Sequence, residues 1–241
     1  MKNLYHKVAV ASVCTALGFV LGANPEAKAA TLSLEPTIIF TVMDFDGSLT
    51  YGGPDIFDGL GDQVNPGNWD FVIRGSYGEI ADFAEFNIGS FSVAPNTVIS
   101  SAVFQANIFS LIVSGFGVDG TSPSSLGIFG YVGNGTAETS DFEAGVLLSS
   151  VNISSSSPGD IFNFDVTQFV NKRVSNGDAF AGFGIRALNF GSLALGGGNF
   201  PGIQPRLIIE TADVAEPVPE PTTIFGSALA LGVGGWLKRK N

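Results

Sequence analysis

The stretch Val98-Ile-Ser-Ser-Ala-Val-Phe-Gln-Ala-Asn-Ile-Phe109 carries the pattern that decides the fold of this chain. Apolar side chains recur in it with a period of two, at Ala102, Phe104, Ala106 and Ile108. Successive side chains of a β-strand point to opposite faces of a sheet. The spacing therefore predicts a strand with one buried face and one polar face.

Similar short runs, separated by Gly, Pro, Asn and Asp, occur through the middle of the chain. They predict seven strands, at residues 38–42, 69–74, 83–91, 98–109, 126–132, 179–188 and 206–211. This number of short strands is typical of a sandwich or barrel rather than of a parallel α/β sheet. We expect an all-β fold, an antiparallel, jelly-roll-like β-sandwich with one short helix, flanked by an N-terminal signal helix and a C-terminal transmembrane helix.

The short helix is predicted from a capping pattern. Asp165 stands at a capping position, Gln168 follows as in a capping box, and apolar residues continue at helical spacing up to Asn176-Gly177. We expect this helix to lie as a lid against one end of the sandwich.

Residues 1–29 have the three parts of a secretory signal peptide. Lys2 and Lys7 precede an uncharged apolar run, and Ala27-Lys28-Ala29 has the small-x-small cleavage pattern. We therefore predict cleavage between Ala29 and Ala30. The predicted body, residues 30–214, then lies outside the cytoplasm.

The C-terminal end contains a second apolar segment. Residues 215–221 form a proline-rich linker that ends in Pro219-Glu220-Pro221, and residues 222–237 carry no ionisable side chain. Three cations, Lys238, Arg239 and Lys240, follow directly. An apolar run flanked by cations predicts a transmembrane helix within residues 222–241 whose basic end stays cytoplasmic.

The Pro-Glu-Pro motif, the apolar segment and the basic cluster, in this order, resemble the PEP-CTERM sorting signal of bacteria, a tail also catalogued as the C-terminal domain of ice-binding proteins. The resemblance covers residues 218–241. It implies processing by an exosortase, which cuts near the motif. It also implies delivery to the cell envelope, the cell surface or the exopolysaccharide matrix.

A second resemblance covers roughly residues 83–211. Five blocks are similar to successive blocks of DNRLRE-type jelly-roll domains: Ala84-Glu-Phe-Asn-Ile-Gly, Ile99-Ser-Ser-Ala-Val-Phe-Gln-Ala, Phe164-Asp-Val-Thr-Gln-Phe-Val, Gly182-Phe-Gly-Ile-Arg and Pro205-Arg-Leu-Ile-Ile-Glu. Those bacterial surface domains are linked to polysaccharide binding. The resemblance implies a jelly-roll fold and a polysaccharide partner.

Composition excludes several classes of function for the body. Residues 30–221 hold five basic and 21 acidic residues, a formal net charge of −16, which is opposite in sign to a nucleic-acid footprint. The single His6 and the single Cys14 lie in the predicted signal peptide. The body therefore has no zinc-type His/Cys site, no thiolate nucleophile and no Ser-His-Asp triad.

The strongest candidate for a metal site is an aspartate-rich, glycine-rich region. It contains the candidate ligands Asp44, Asp46, Asp55, Asp58 and Asp62. Calcium takes six to eight oxygen ligands, and carboxylates in turns can supply them. The spacing does not match an EF-hand loop. Turn formation and solubility are the alternative explanation for these residues, and calcium is the only cofactor that the sequence offers.

Two other groups of residues have competing interpretations. Tyr51, Trp69 and Tyr77 would stack on a sugar ring if exposed. Apolar residues, however, occupy every second position at Trp69, Phe71 and Ile73, and this pattern favours burial of Trp69. Asp82 and Glu85 are an example of a carboxylate pair that a glycosidase would need.

From these observations we expect a non-enzymatic, exported surface or matrix protein. The alternative is a module that binds exopolysaccharide, with or without calcium, and a polysaccharide hydrolase is a more distant third.

Overall fold

The computed structural model describes residues 30–44, 59–76, 78–91, 93, 97–111, 118 and 120–214. Within these ranges the chain forms twelve strands and two helices. In chain order they are β1 (Thr31–Leu34), β2 (Ile38–Asp44), β3 (Gln63–Pro66), β4 (Phe71–Gly75), β5 (Gly78–Asn87), β6 (Thr97–Ser110), β7 (Ser125–Gly133), α1 (Asp141–Ala144), β8 (Val146–Asn152), β9 (Ile161–Asp165), α2 (Thr167–Asn176), β10 (Phe180–Ala187), β11 (Gly191–Leu195) and β12 (Arg206–Asp213). The predicted all-β class is confirmed, whereas the expectation of a single helix is wrong.

Every strand pair in the described part of the chain is antiparallel. The strands form one sheet in the order β1-β12-β6-β11-β4-β5-β10-β7-β8. Strands β2 and β3 extend from β5, and β9 pairs with β6. The sheet curls on itself, because strands far apart in this order contact the same core.

Ring contacts show how the curled sheet closes. Phe104 of β6 lies 6.0 Å from Phe86 of β5 and 5.3 Å from Phe183 of β10, measured between ring centroids. Neither β5 nor β10 is hydrogen-bonded to β6. These aromatic side chains therefore contact one another across the interior and not between hydrogen-bonded neighbouring strands. Their contact buries apolar surface, which stabilises the fold.

Strand β6 buries the face that its period of two predicts. Ala102, Phe104, Ala106 and Ile108 are all buried in the main core. Asn107, expected on the polar face, is buried as well. A glycine-rich loop at residues 196–202 covers that face, and the Asn107 side chain accepts a hydrogen bond from Ile203 N at 3.1 Å.

Strand β5 shows where the apolar pattern misled the prediction. It runs from Gly78 to Asn87 rather than over residues 83–91. Both of its faces are covered, and it buries Glu79, Asp82 and Glu85 among its apolar residues. Charged residues in a strand ordinarily indicate an exposed face. Because Glu79 and Asp82 lie in the first half of β5, the sequence pattern did not predict a strand there.

Helix α2 ends as predicted, whereas its beginning differs. Gly177 closes it with φ = 74°, a left-handed conformation that glycine adopts without steric cost. The N-cap is Val166, without a side-chain cap, so the predicted capping box is wrong. Asp165 instead accepts hydrogen bonds from Thr167 N at 2.9 Å and Thr167 Oγ1 at 2.6 Å.

The predicted signal peptide, the linker and the predicted C-terminal helix lie outside the described residues. Among the residues that are described, no helix is long and apolar enough to cross a membrane.

Candidate functional site

The structure describes two of the five predicted calcium ligands. Asp44 ends β2, where its Oδ2 accepts a hydrogen bond from Gly59 N at 3.2 Å. Asp62 N donates to Met43 O at 2.9 Å. Both residues thus stand where the aspartate-rich segment leaves and rejoins the sheet, while Asp46, Asp55 and Asp58 lie outside the described residues. Within the described part of the chain, no group of three or more ligand side chains is arranged for a metal ion.

Asp82 and Glu85 do not form the carboxylate pair that sequence proximity offered. They are three residues apart on β5, so their side chains point to opposite faces of the sheet. Asp82 accepts a hydrogen bond from Thr41 Oγ1 at 2.6 Å on the inner face. Burial raises the pKa of this carboxyl well above its ordinary value.

Glu85 belongs to a second cluster on the outer face of the sheet. Its Oε2 accepts a hydrogen bond from Gly135 N at 2.6 Å, and Asp141 Oδ2 accepts one from Glu138 N at 2.9 Å. Burial raises the pKa of Glu85 and raises the pKa of Asp141 to about 6. Burial also raises the pKa of Tyr131, which lies beside them. Glu85 and Tyr131 are buried beneath residues 134–144, and Asp141, which belongs to that segment, is buried as well.

Arg186 contacts the same segment, residues 134–144, at Phe142. Its Nε donates to Glu79 Oε1 at 2.6 Å, and its Nη1 donates to the Phe142 carbonyl at 3.3 Å. Its guanidinium also lies 3.9 Å from the centroid of the Phe142 ring. The acidic cluster and Arg186 together fasten residues 134–144 to the sheet, which is a structural task.

A different surface presents groups to solvent. We call it the aromatic–amide surface and define it by Phe71, Phe109, Phe200, Asn68, Asp70 and Asn199. The rings of Phe109 and Phe200 are stacked, with centroids 4.7 Å apart and an interplanar angle of 12°. Phe71 meets Phe200 edge-on at 5.1 Å. Phe109 remains 37% exposed.

Polar residues neighbour two of these rings in the chain, because Asn199 precedes Phe200 and Asp70 precedes Phe71. The Asn199 side-chain amide donates to Asp70 Oδ2 at 2.9 Å and to Asn68 Oδ1 at 3.3 Å. Asn199 N also approaches Asp70 Oδ1, at 3.4 Å. Asn199 is itself exposed, so the surface combines a flat apolar ring with amide and carboxylate groups in one fixed arrangement.

The 196–202 loop holds Phe200 and Asn199 in place because its glycines allow the backbone to approach neighbouring segments closely. A Cβ on Gly198 would lie 2.2 Å from the Trp69 carbonyl oxygen, and one on Gly197 would lie 2.4 Å from that of Ile203. Gly197 also has φ = 101°, a conformation that other residues rarely adopt. Gly196 N donates to the Asn107 carbonyl at 3.0 Å.

Sequence reasoning missed this surface. It considered Tyr51, Trp69 and Tyr77, of which Trp69 is 0% exposed and the other two lie outside the described residues. The predicted burial of Trp69 is confirmed. The signal that was present is the run Gly196-Gly-Gly-Asn-Phe-Pro-Gly202, a glycine-dense loop with an amide and an aromatic residue at its centre.

No protein-family model matches the chain, and no curated protein matches it.

Proposed function

We propose that the chain is an exported, non-enzymatic protein of the bacterial cell surface or extracellular matrix. In this proposal a signal peptide ends at Ala29, and the Pro219-Glu220-Pro221 motif directs the C-terminal segment to an exosortase. A transmembrane helix within residues 222–241 anchors the protein, transiently or stably. The curled sheet would be a jelly-roll-like sandwich.

One observation carries the proposal. Strand β1 begins at Thr31, directly after the predicted cleavage site, and pairs with the last strand, β12. Ala30 O accepts a hydrogen bond from Thr211 N at 2.9 Å. The points where the two predicted targeting segments join the domain are therefore adjacent on one edge of the sheet. Such a placement lets both segments reach the same membrane without unpairing any strand.

The proposal assigns no catalysis to the body, and this rests on its chemistry. The body has neither histidine nor cysteine. The carboxylates Asp82 and Glu85 face opposite sides of the sheet. The geometry of this pair therefore does not suit glycoside hydrolysis, which needs both carboxyls on one substrate.

The decisive experiment compares two variants in a bacterium that carries an exosortase. Deletion of residues 219–241 should release the protein into the medium, and Glu220→Ala should impair processing while the helix and basic end stay intact. Mass analysis of the mature protein should find Ala30 as its first residue and an end near the Pro-Glu-Pro motif. Unchanged surface retention of the deletion variant would refute the sorting function. A matched control, Glu210→Ala at an exposed position of β12, should be processed normally.

A further inference from the structure

We propose that the aromatic–amide surface is a binding site for a neutral saccharide. The proposal rests on the proposed function in one respect, since export is what would bring the domain to extracellular polysaccharide. Binding itself is a property of the folded domain. It can therefore be tested without any assumption about sorting.

The aromatic part of the site has the form that sugar rings recognise. Phe200 covers one side of the Phe109 ring, yet Phe109 remains 37% exposed. More than a third of Phe109 is thus accessible to solvent, on a ring whose orientation is fixed by stacking on Phe200. The C–H groups of a pyranose ring form a flat apolar face that packs on such an aromatic ring.

The polar part supplies hydrogen bonds in a fixed orientation. Asn199 is held by Asp70 and Asn68 through its side-chain nitrogen. A carboxylate has about four lone-pair positions, so Asp70 keeps acceptor capacity for a hydroxyl group after its bonds to Asn199. Adjacent hydroxyl groups of a sugar both donate and accept, and therefore match a neighbouring amide and carboxylate.

The site is preorganised by its backbone. Gly197 and Gly198 approach carbonyl oxygens so closely that no side chain fits at either position. The loop is also tied to β6 through Asn107. A site that is already ordered loses little conformational entropy on binding, which matters for sugars because each contact contributes little.

Charge selects among saccharides. Asp70 stands in the site, and residues 30–221 carry a net charge of −16. Uronic acids and phosphorylated sugars would be repelled by this charge. A neutral hexose chain is the class that fits both the charge and the aromatic ring.

The test uses the full-length chain, purified in a detergent without a sugar headgroup. Isothermal titration measures binding of cellohexaose, laminarihexaose and mannohexaose, with hexagalacturonate as the acidic comparator. We expect at least one neutral oligosaccharide to bind. We expect Phe109→Ala and Asn199→Ala each to weaken that binding at least about tenfold, while thermal melting shows that both variants fold.

The matched control is Phe190→Ala, which removes another exposed phenylalanine, 45% exposed and located between β10 and β11. It should bind like the wild type. The proposal is overturned by the absence of binding to all three neutral oligosaccharides, by tighter binding of hexagalacturonate, or by wild-type binding in both site variants. A change in oligomeric state in Phe109→Ala without any sugar binding would instead identify the surface as a contact between copies. Normal sorting with no sugar binding would refute this site alone.

Discussion

Asp141 should make the protein less stable as the pH rises toward neutrality. Burial raises its pKa from 3.8 to about 6 in the folded state. A group whose pKa is higher in the folded state stabilises the fold when protonated. Its contribution is complete below about pH 4, the unfolded value, and is lost as the pH rises through about 6. Burial raises the pKa of Glu85 as well.

The size of the effect follows from the shift. One pKa unit corresponds to about 1.4 kcal/mol, so a shift of about two units gives about 3 kcal/mol at most. Asp141 lies at the edge of the covered cluster, where solvent screens part of the interaction, and we reduce the figure to about 1–1.5 kcal/mol. For a chain of this length, that change lowers the melting temperature by about 2–6 °C.

The perturbation that isolates this group is Asp141→Asn. Asparagine cannot ionise, yet its oxygen can still accept the hydrogen bond from Glu138 N. We expect the variant to melt higher than the wild type at pH 8, and we expect this difference to shrink as the pH falls to 4.5. Calorimetry in the same detergent at both pH values measures the difference. Hydrogen bonds from Thr167 lower the pKa of Asp165, so Asp165 changes its charge below this pH range.

The control is Asp160→Asn. Asp160 accepts a hydrogen bond from Ser157 N at 2.8 Å, over the same spacing of three residues, but it is exposed. Its replacement should leave the pH dependence of melting unchanged. An Asp141→Asn variant that keeps the pH dependence of the wild type, or that melts lower at pH 8, would refute the reasoning from burial.

Three further predictions concern stability and are checked by urea unfolding. Arg186→Ala should cost about 3–5 kcal/mol, because it leaves the buried Glu79 carboxylate without the partner 2.6 Å away; a loss below about 1 kcal/mol would contradict this. Gly184→Ala should cost about 1–3 kcal/mol, since its Cβ would lie 2.6 Å from the Phe83 ring. Gly159→Ala, where φ is positive and the surrounding space is open, is the control for positive φ alone in the next variant, Gly197→Ala. Gly197→Ala should cost a similar amount and also weaken saccharide binding, because its Cβ would displace the loop that carries Phe200; wild-type binding in this variant would contradict the role of the loop.

Several strands could be predicted because one of their faces is polar. Strand β6 carries an apolar residue at every second position from Ala102 to Ile108, and its predicted limits, residues 98–109, differ from Thr97–Ser110 by one residue at each end. Strands β1, β3, β8, β9 and β11 were missed. The strands β3 and β8 contain no fully buried residue, and β11 is buried along its whole length. Neither a strand without fully buried residues nor a strand buried on both faces has an alternating pattern of apolar and polar residues.

Helix α1 was missed for a related reason. It spans four residues, Asp141–Ala144, which is little more than one turn. No periodic pattern can be recognised over that length. Its place is decided by Phe142, which packs in the second cluster of buried residues with Phe83 and Tyr131.

The candidate site could not be predicted, because its members are distant in sequence. Asn68 and Asp70 precede β4, Phe109 is the second-last residue of β6, and Asn199 and Phe200 lie between β11 and β12. Their meeting depends on which strands pair, and pairing is a property of the whole sheet. The glycine run at residues 196–198 indicated a close backbone approach, but it did not indicate what would be approached.

Local chemistry by itself determined the antiparallel β class and the end of α2, because a period of two and a left-handed glycine act within a few residues. It also determined the acidic charge of the body and its lack of histidine and cysteine. Only the tertiary structure decided that Asp82 and Glu85 face opposite sides of β5, that the outer face of β5 is covered, and that Phe109 and Asn199 share one surface. The physical reason is that the burial of a side chain, and therefore its pKa, depends on which distant segments pack together. Which segments pack together is decided only when the twelve described strands are paired in one sheet.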